Sequence, residues 1–210
     1  MARMVDVRFL CFISLPWMTL GALDCRVNSF KVKSDLDPKQ LVGRWYEVKW
    51  IAQSFVPVKD RYRDYEHRYS MEPGNGDVLT VHGQGRSTID ADCFYYNGTL
   101  RPTSVPGKLV YSRPGGHNDV ISTDYWIVDT DYTNYAVSYG CRKIRIDGTC
   151  DPEAIESWVW GRRPVLTSPQ LSTISGVLKT LCVNSNQYLD TPQGRECPPR
   201  PDVGNVKPVG

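Results

Sequence analysis

The 210-residue chain reads as one all-β domain, an eight-stranded antiparallel up-and-down barrel with a single C-terminal α-helix packed outside. Three observations predict it. Short runs rich in Tyr, Val, Thr and Trp follow one another at near-regular spacing. Turn signals separate them at Pro73-Gly74-Asn75-Gly76, Pro106-Gly107, Pro114-Gly115-Gly116 and Asp147-Gly148. Only one segment has convincing helical periodicity, and it comes late: Ser168-Pro169 as cap and proline, then Leu171, Ile174, Leu178 and Leu181.

The N-terminus has the pattern of a secretory leader. Arg3 and Arg8 flank the start of an apolar run from Phe9 to Leu20, and Gly21-Ala22 offers small residues for cleavage. At about twelve residues the run is too short to span a bilayer, so residues 1–22 are expected to be a signal peptide. The domain then occupies 23–197, and 198–210, rich in Pro, Gly and charge without period, is expected to be a disordered tail. Within the domain, Asp37-Pro38-Lys39 places an N-cap candidate before a proline, a short helical turn leading into a strand at Trp45.

The net charge of +2 gives no general reason to expect nucleic acid or an anionic membrane as partner. The basic-aromatic stretch Arg61 to Tyr69 is resolved by strand alternation. Asp64, Glu66 and Arg68 fall on one face, expected to be solvated; Tyr65, His67 and Tyr69 share the other, expected to line the barrel. Seven cysteines are present, and Cys11 lies in the leader. The remaining six, Cys25, Cys93, Cys141, Cys150, Cys182 and Cys197, are an even set in an exported chain and imply three disulfides, with the pairing left open by the count. Asn97-Gly98-Thr99 is a glycosylation sequon at Asn97.

Two segments about eighty residues apart carry a family resemblance. Gly43-Arg44-Trp45-Tyr46 opens a first strand, and Thr130-Asp131-Tyr132 sits in a hairpin that runs on through Tyr135 to Cys141. Together they resemble the lipocalin signature. The stretches Asp24 to Trp50 and Tyr125 to Asp151 look like the retinol-binding-protein and purpurin branch of that family, while 51–124 resembles it only faintly. The resemblance implies a closed barrel around a cavity and disulfides Cys25–Cys182, Cys93–Cys197 and Cys141–Cys150. It also implies a structural pair in which Arg162 stacks on Trp45 at the closed end.

For ligand contacts, the resemblance points to Leu109, Tyr111, Tyr125, Ser138 and Trp158, and to Leu79 and Val81 around the deep end. Strand alternation adds Tyr65 and His67, and Phe55 and Val56 fall in the first long loop near the mouth. The implied function is secreted carriage of a small hydrophobic molecule, retinol or a related retinoid. The alternatives are another apolar ligand (a pigment, fatty acid or steroid) or a loop-mediated interaction protein. A monomer is expected, with room for a carrier or receptor protein at the barrel mouth. The loop Ser112 to Val120 shares little with the family loop that docks transthyretin, so that partner is not carried over.

No cofactor or metal is expected, and no catalysis. His67, His82 and His117 are scattered without zinc spacing. Gly83-Gln84-Gly85 lacks the third glycine and following helix of a phosphate loop. There is no Gly-x-Ser-x-Gly elbow. Three disulfides would leave no thiol to act as nucleophile, unlike the family's prostaglandin synthase.

Overall fold

The computed structural model describes residues 23–51, 62–114 and 119–198. The expected leader (1–22), the loop residues Phe55 and Val56, His117 and all but the first residue of the expected tail lie outside the described residues.

Eight strands form the barrel: β1 (Gly43–Ile51), β2 (Tyr62–Met71), β3 (Leu79–Ser87), β4 (Cys93–Pro102), β5 (Lys108–Pro114), β6 (Val120–Thr130), β7 (Tyr135–Cys141) and β8 (Ile155–Gly161). Each pairs antiparallel with the next, and β1 closes the cylinder by pairing with both β2 and β8. Helix α1 (Ser168–Thr180) lies outside. Its first turn is preceded by Thr167, one residue before the expected cap, and the Thr167 amide donates to Gln170 at 2.8 Å. Ile174, Leu178 and Leu181 bury against Val137, Tyr139 and Val159, the outward face of β7 and β8. The turn expected after Asp37 is a 3-10 helix, Pro38–Leu41, with the Asp37 carboxylate accepting from the Lys39 amide. Among the described residues no helix is long and apolar enough to cross a membrane.

Alternation along the strands therefore produces two cores. One lies between α1 and the outside of the barrel. The other fills the closed end with Leu41, Trp45, Leu79, Val81, Leu100 and Leu109. Three disulfides join Cys25 to Cys182, Cys93 to Cys197 and Cys141 to Cys150. The first two span 157 and 104 residues. In the chain-entropy picture, closing such long loops stabilises by roughly 4–5 kcal/mol each.

The closed end is organised by Arg162. Its guanidinium carbon lies 3.8 Å from the centroid of the Trp45 ring. Its N–H groups donate to the carbonyls of Tyr132 (2.8 Å), Val42 (3.0 Å), Arg44 (3.1 Å) and Gln40 (2.9 Å). Gly43 has φ +105°, and a Cβ there would meet Arg162 Nη1 at 3.1 Å, which explains the glycine of Gly-x-Trp. In the facing hairpin Asp131 accepts from the amides of Thr133, Asn134 and Tyr135. This fixes the turn whose Tyr132 carbonyl Arg162 reads.

A ninth strand absent from the sequence expectation, β9 (Tyr188–Asp190), pairs with Lys49–Ile51 of β1 where β2 has diverged. The chain after it runs as a strap into the seam between β1 and β2. Gln193 donates to the carbonyls of both Glu47 (2.9 Å) and Tyr65 (3.0 Å), and Cys197 ends the strap at Cys93. This strap overturns the expected solvated face of β2. Asp64 and Glu66 are only 5% and 2% exposed; Arg68 alone of the three stays open. Asp64, at a bulge with φ +52°, accepts from the amides of Gly194 and Arg195 and pairs with Arg86. Glu66 pairs with Arg44 at 3.3 Å, yet burial pushes its carboxyl up to about 7.

Glu47 is buried under the same strap, accepting from Thr191 at 2.6 Å, and has no ion pair among the described residues. Burial raises its pKa from 4.5 to about 8. The folded protein therefore holds the proton more tightly than the unfolded chain, and a stability cost accumulates as pH rises from about 4.5 towards 8. Glu47→Gln is expected to raise stability by about 2–4 kcal/mol at pH 8 and to have little effect at pH 4.5, read by urea unfolding at both pH values. Arg162→Lys is expected to cost about 2–4 kcal/mol in the same assay, because an ammonium cannot reproduce the planar fork across four carbonyls.

Candidate functional site

The inward residues of β2, β4, β5, β6 and β8 converge above the apolar closed end. A cavity of about 410 Å³ opens towards the other end, lined by Tyr62, Tyr65, His67, Phe94, Tyr95, Tyr96, Tyr111, Arg113, Ile121, Thr123, Tyr125, Glu156 and Trp158. A side chamber of about 210 Å³ adjoins it between β1 and β8, sharing Tyr62, Tyr65, Glu156 and Trp158 and adding Glu47, Trp50 and Ile51. The main volume lies within the range of small-molecule sites.

His67 is the hub of the floor. Its ring stacks on Trp160, centroids 4.4 Å apart. Nδ1 lies 3.0 Å from the Tyr69 hydroxyl and Nε2 2.5 Å from that of Tyr96, which in turn bonds the Tyr65 hydroxyl. Tyr69 continues to Tyr125 at 3.2 Å. Burial drives the His67 pKa down to about 3, so the imidazole is neutral, one nitrogen donating and the other accepting. Burial also lifts the tyrosines, Tyr111 to about 12, so their hydroxyls stay protonated. The floor is thus polar but uncharged.

Three inward glycines make this layer fit. A Cβ at Gly83 would lie 2.0 Å from Cζ of Tyr96 and 2.3 Å from its hydroxyl oxygen. At Gly85 it would meet Phe94 at 2.7 Å and Tyr65 at 2.8 Å, and at Gly98 it would meet Tyr111 at 2.8 Å. Gly83 and Gly85, uninformative as a phosphate motif, are therefore the floor on which the rings of β2 and β4 lie.

The structure brings Tyr65, His67, Tyr111, Tyr125 and Trp158 together on the cavity wall. It places Leu79, Val81 and Leu109 in the closed-end core beneath the polar layer, all 2% exposed or less. Ser138 is fully buried behind it, accepting from Trp160 Nε1 at 3.2 Å. Sequence reasoning passed over Tyr62, Phe94, Tyr95, Tyr96, Arg113, Ile121, Thr123 and Glu156. Strand alternation on either side of Gly98 and Tyr125 would have marked Phe94, Tyr96 and Thr123 as inward. All six described cysteines are bridged, and the described residues hold no cluster of three metal-ligating side chains.

Gly83→Ala is expected to destabilise by about 1–3 kcal/mol by displacing Tyr96 from His67, and to be nearly neutral in a Tyr96→Ala background. Thermal unfolding of the two single variants and the double variant measures the difference.

Residues 42–195 match the family model described as the lipocalin / cytosolic fatty-acid binding protein family. Chicken (Gallus gallus) purpurin is 29% identical over 84% of this chain and 90% of its own length. Retinol-binding protein 4-B of Oncorhynchus mykiss is 30% identical over 76% of this chain and 90% of its own. Among solved structures, insecticyanin from the tobacco hornworm Manduca sexta superposes with a TM-score of 0.61 at 21% identity, covering 77% of this chain and 83% of that one. The cockroach allergen Per a 4 does so with a TM-score of 0.59 at 18% identity, covering 82% and 97%. With Trp45 and Arg162 sealing one end of an eight-stranded barrel and a cavity at the other, the chain belongs to the lipocalin / cytosolic fatty-acid binding protein family.

Proposed function

We propose that the protein is a secreted, non-enzymatic carrier of one small hydrophobic molecule, with retinol or a related retinoid as the ligand class. The observation that carries this reading is the aromatic-walled cavity, open at one end and sealed at the other by Trp45 and Arg162. The similarity to a retinol-binding protein over most of both chains supports the ligand class. Three disulfides fit an oxidising compartment, and residues 1–22 would direct the chain there. Asn97 is exposed on the outward face of β4, where a glycan would be tolerated.

Burying roughly 300–400 Å² of ligand apolar surface yields about 8–10 kcal/mol gross. Association removes several kcal/mol of that, which leaves micromolar or tighter binding. Trp158 and Trp160 border the cavity and its floor, so their emission reports occupancy. Adding all-trans-retinol to fully oxidised protein is expected to quench tryptophan fluorescence with saturation near one equivalent; a flat titration removes retinoid as the ligand.

A second reading is a more compact apolar ligand. It is favoured by Leu79, Val81, Leu100 and Leu109, which fill the deep half of the barrel. Native mass spectrometry of protein isolated from its producing tissue distinguishes the two by adduct mass.

A further inference from the structure

The side chamber between β1 and β8 holds a buried acid with no counter-charge. Glu47 pairs across the sheet with Trp160 and so points into the barrel, where it is 5% exposed. Its Oε1 accepts from the Thr191 hydroxyl. Its Oε2 has no hydrogen-bond partner among the described residues, yet it is not sealed by protein and opens on the chamber. A carboxylate in such a position is normally paired, because burial strips water from the charge and puts nothing in its place.

Among the described residues, no element around Glu47 supplies a cation. From β2 come the phenols of Tyr62 and Tyr65, and from the strap comes Thr191. From β8 comes a second carboxylate, Glu156, which pairs with Arg142 at 3.1 Å. On β1 itself, Lys49 is taken up by Asp190. The other walls are aromatic. Trp50 lies opposite Trp158 on the neighbouring strand, and the rings of Tyr62 and Tyr65 stack at 6.1 Å. Such rings attract a cation over their faces, Trp most strongly. Two acids, four aromatic rings and about 210 Å³ of space complement a small ammonium ion and disfavour an anion.

We propose that this chamber binds the ammonium group of a small organic amine, ion-paired with Glu47 and caged by Trp50, Trp158, Tyr62 and Tyr65. The site goes beyond the retinoid reading and does not depend on it. The chamber shares Tyr62, Tyr65, Glu156 and Trp158 with the main cavity. The body of the amine therefore extends into the larger aromatic volume while its nitrogen stays beside β1.

Calorimetric titration of the fully oxidised protein at pH 8 tests this with two probes of similar shape, phenethylamine and 2-phenylethanol. At that pH the amine is still an ammonium, and the Glu47 carboxyl, held up at about 8 by burial, is ionised in about half of the molecules. Phenethylamine is expected to bind at least about tenfold more tightly than the alcohol. Glu47→Gln keeps the side-chain shape and removes the charge. It is expected to weaken the amine at least about tenfold and to leave the alcohol within about twofold, with near-UV circular dichroism as the check of folding. No binding of phenethylamine, or equal affinity for the two probes in the unmodified protein, overturns the proposal. Equal weakening of both probes by Glu47→Gln overturns it as well. An amine weakened by Glu156→Gln and not by Glu47→Gln places the nitrogen at the other acid and likewise overturns it. A retinol titration of the same protein reads the retinoid proposal separately, so either can fail alone.

Discussion

The guanidinium of Arg162 holds the barrel shut. It stacks on Trp45, occupies the space a side chain at Gly43 would need, and donates to four carbonyls from three separate segments: the 3-10 turn before β1, β1 itself and the β6–β7 hairpin. Three of those carbonyls, of Gln40, Val42 and Tyr132, belong to residues outside the strands, and unsatisfied buried carbonyls are costly. One planar cation meets all four needs at once, which a lysine could not. The two signature segments, distant in sequence, are the two halves of the socket around this side chain.

Above that plug the interior changes character by layers. Aliphatic side chains from β3, β4 and β5 fill the base. Hydrogen-bonded rings centred on His67 form a second layer, and the cavity occupies the third. The middle layer is rigid for a physical reason. Tyr96 lies across Gly83 and Tyr65 across Gly85, and both are held by their hydroxyls as well, so neither rotation nor withdrawal of these rings is free. The layer separates a core that stabilises the fold from a volume that can be emptied and filled.

Much of this was legible in the sequence. The Gly-x-Trp and Thr-Asp-Tyr segments, the cysteine positions and the periodicity of 171–181 led to the barrel, the plug, the disulfides and the helix. The misreadings have a common cause, a partner far away in the chain. Alternation correctly put Asp64 and Glu66 on the outside of β2. It could not show that Gly194, Arg195 and the Arg44–Glu196 pair would cover them, because the strap is too short and irregular to carry a strand pattern. Leu79 and Val81 do point inward, but inward at their level means the sealed base. Phe94 and Tyr96 were missed because they lie in 51–124, where family resemblance was faint, and Gly83 and Gly85, which admit the rings, were weighed only as a fragment of a phosphate motif.

The strap between β1 and β2 has a geometric consequence for the vessel as a whole. At the base, Gly43 to Tyr46 pair directly with β2 and eight strands make the full circumference. Towards the mouth the two strands part, and Tyr188–Asp190 with the residues up to Gln193 take up the gap. The perimeter is therefore longer at one end than at the other, and the barrel is tapered rather than cylindrical. The aperture is set in part by peptide borrowed from the end of the chain and anchored by Cys93–Cys197. Altering the length of that segment would change the width of the opening without touching a single residue that lines it.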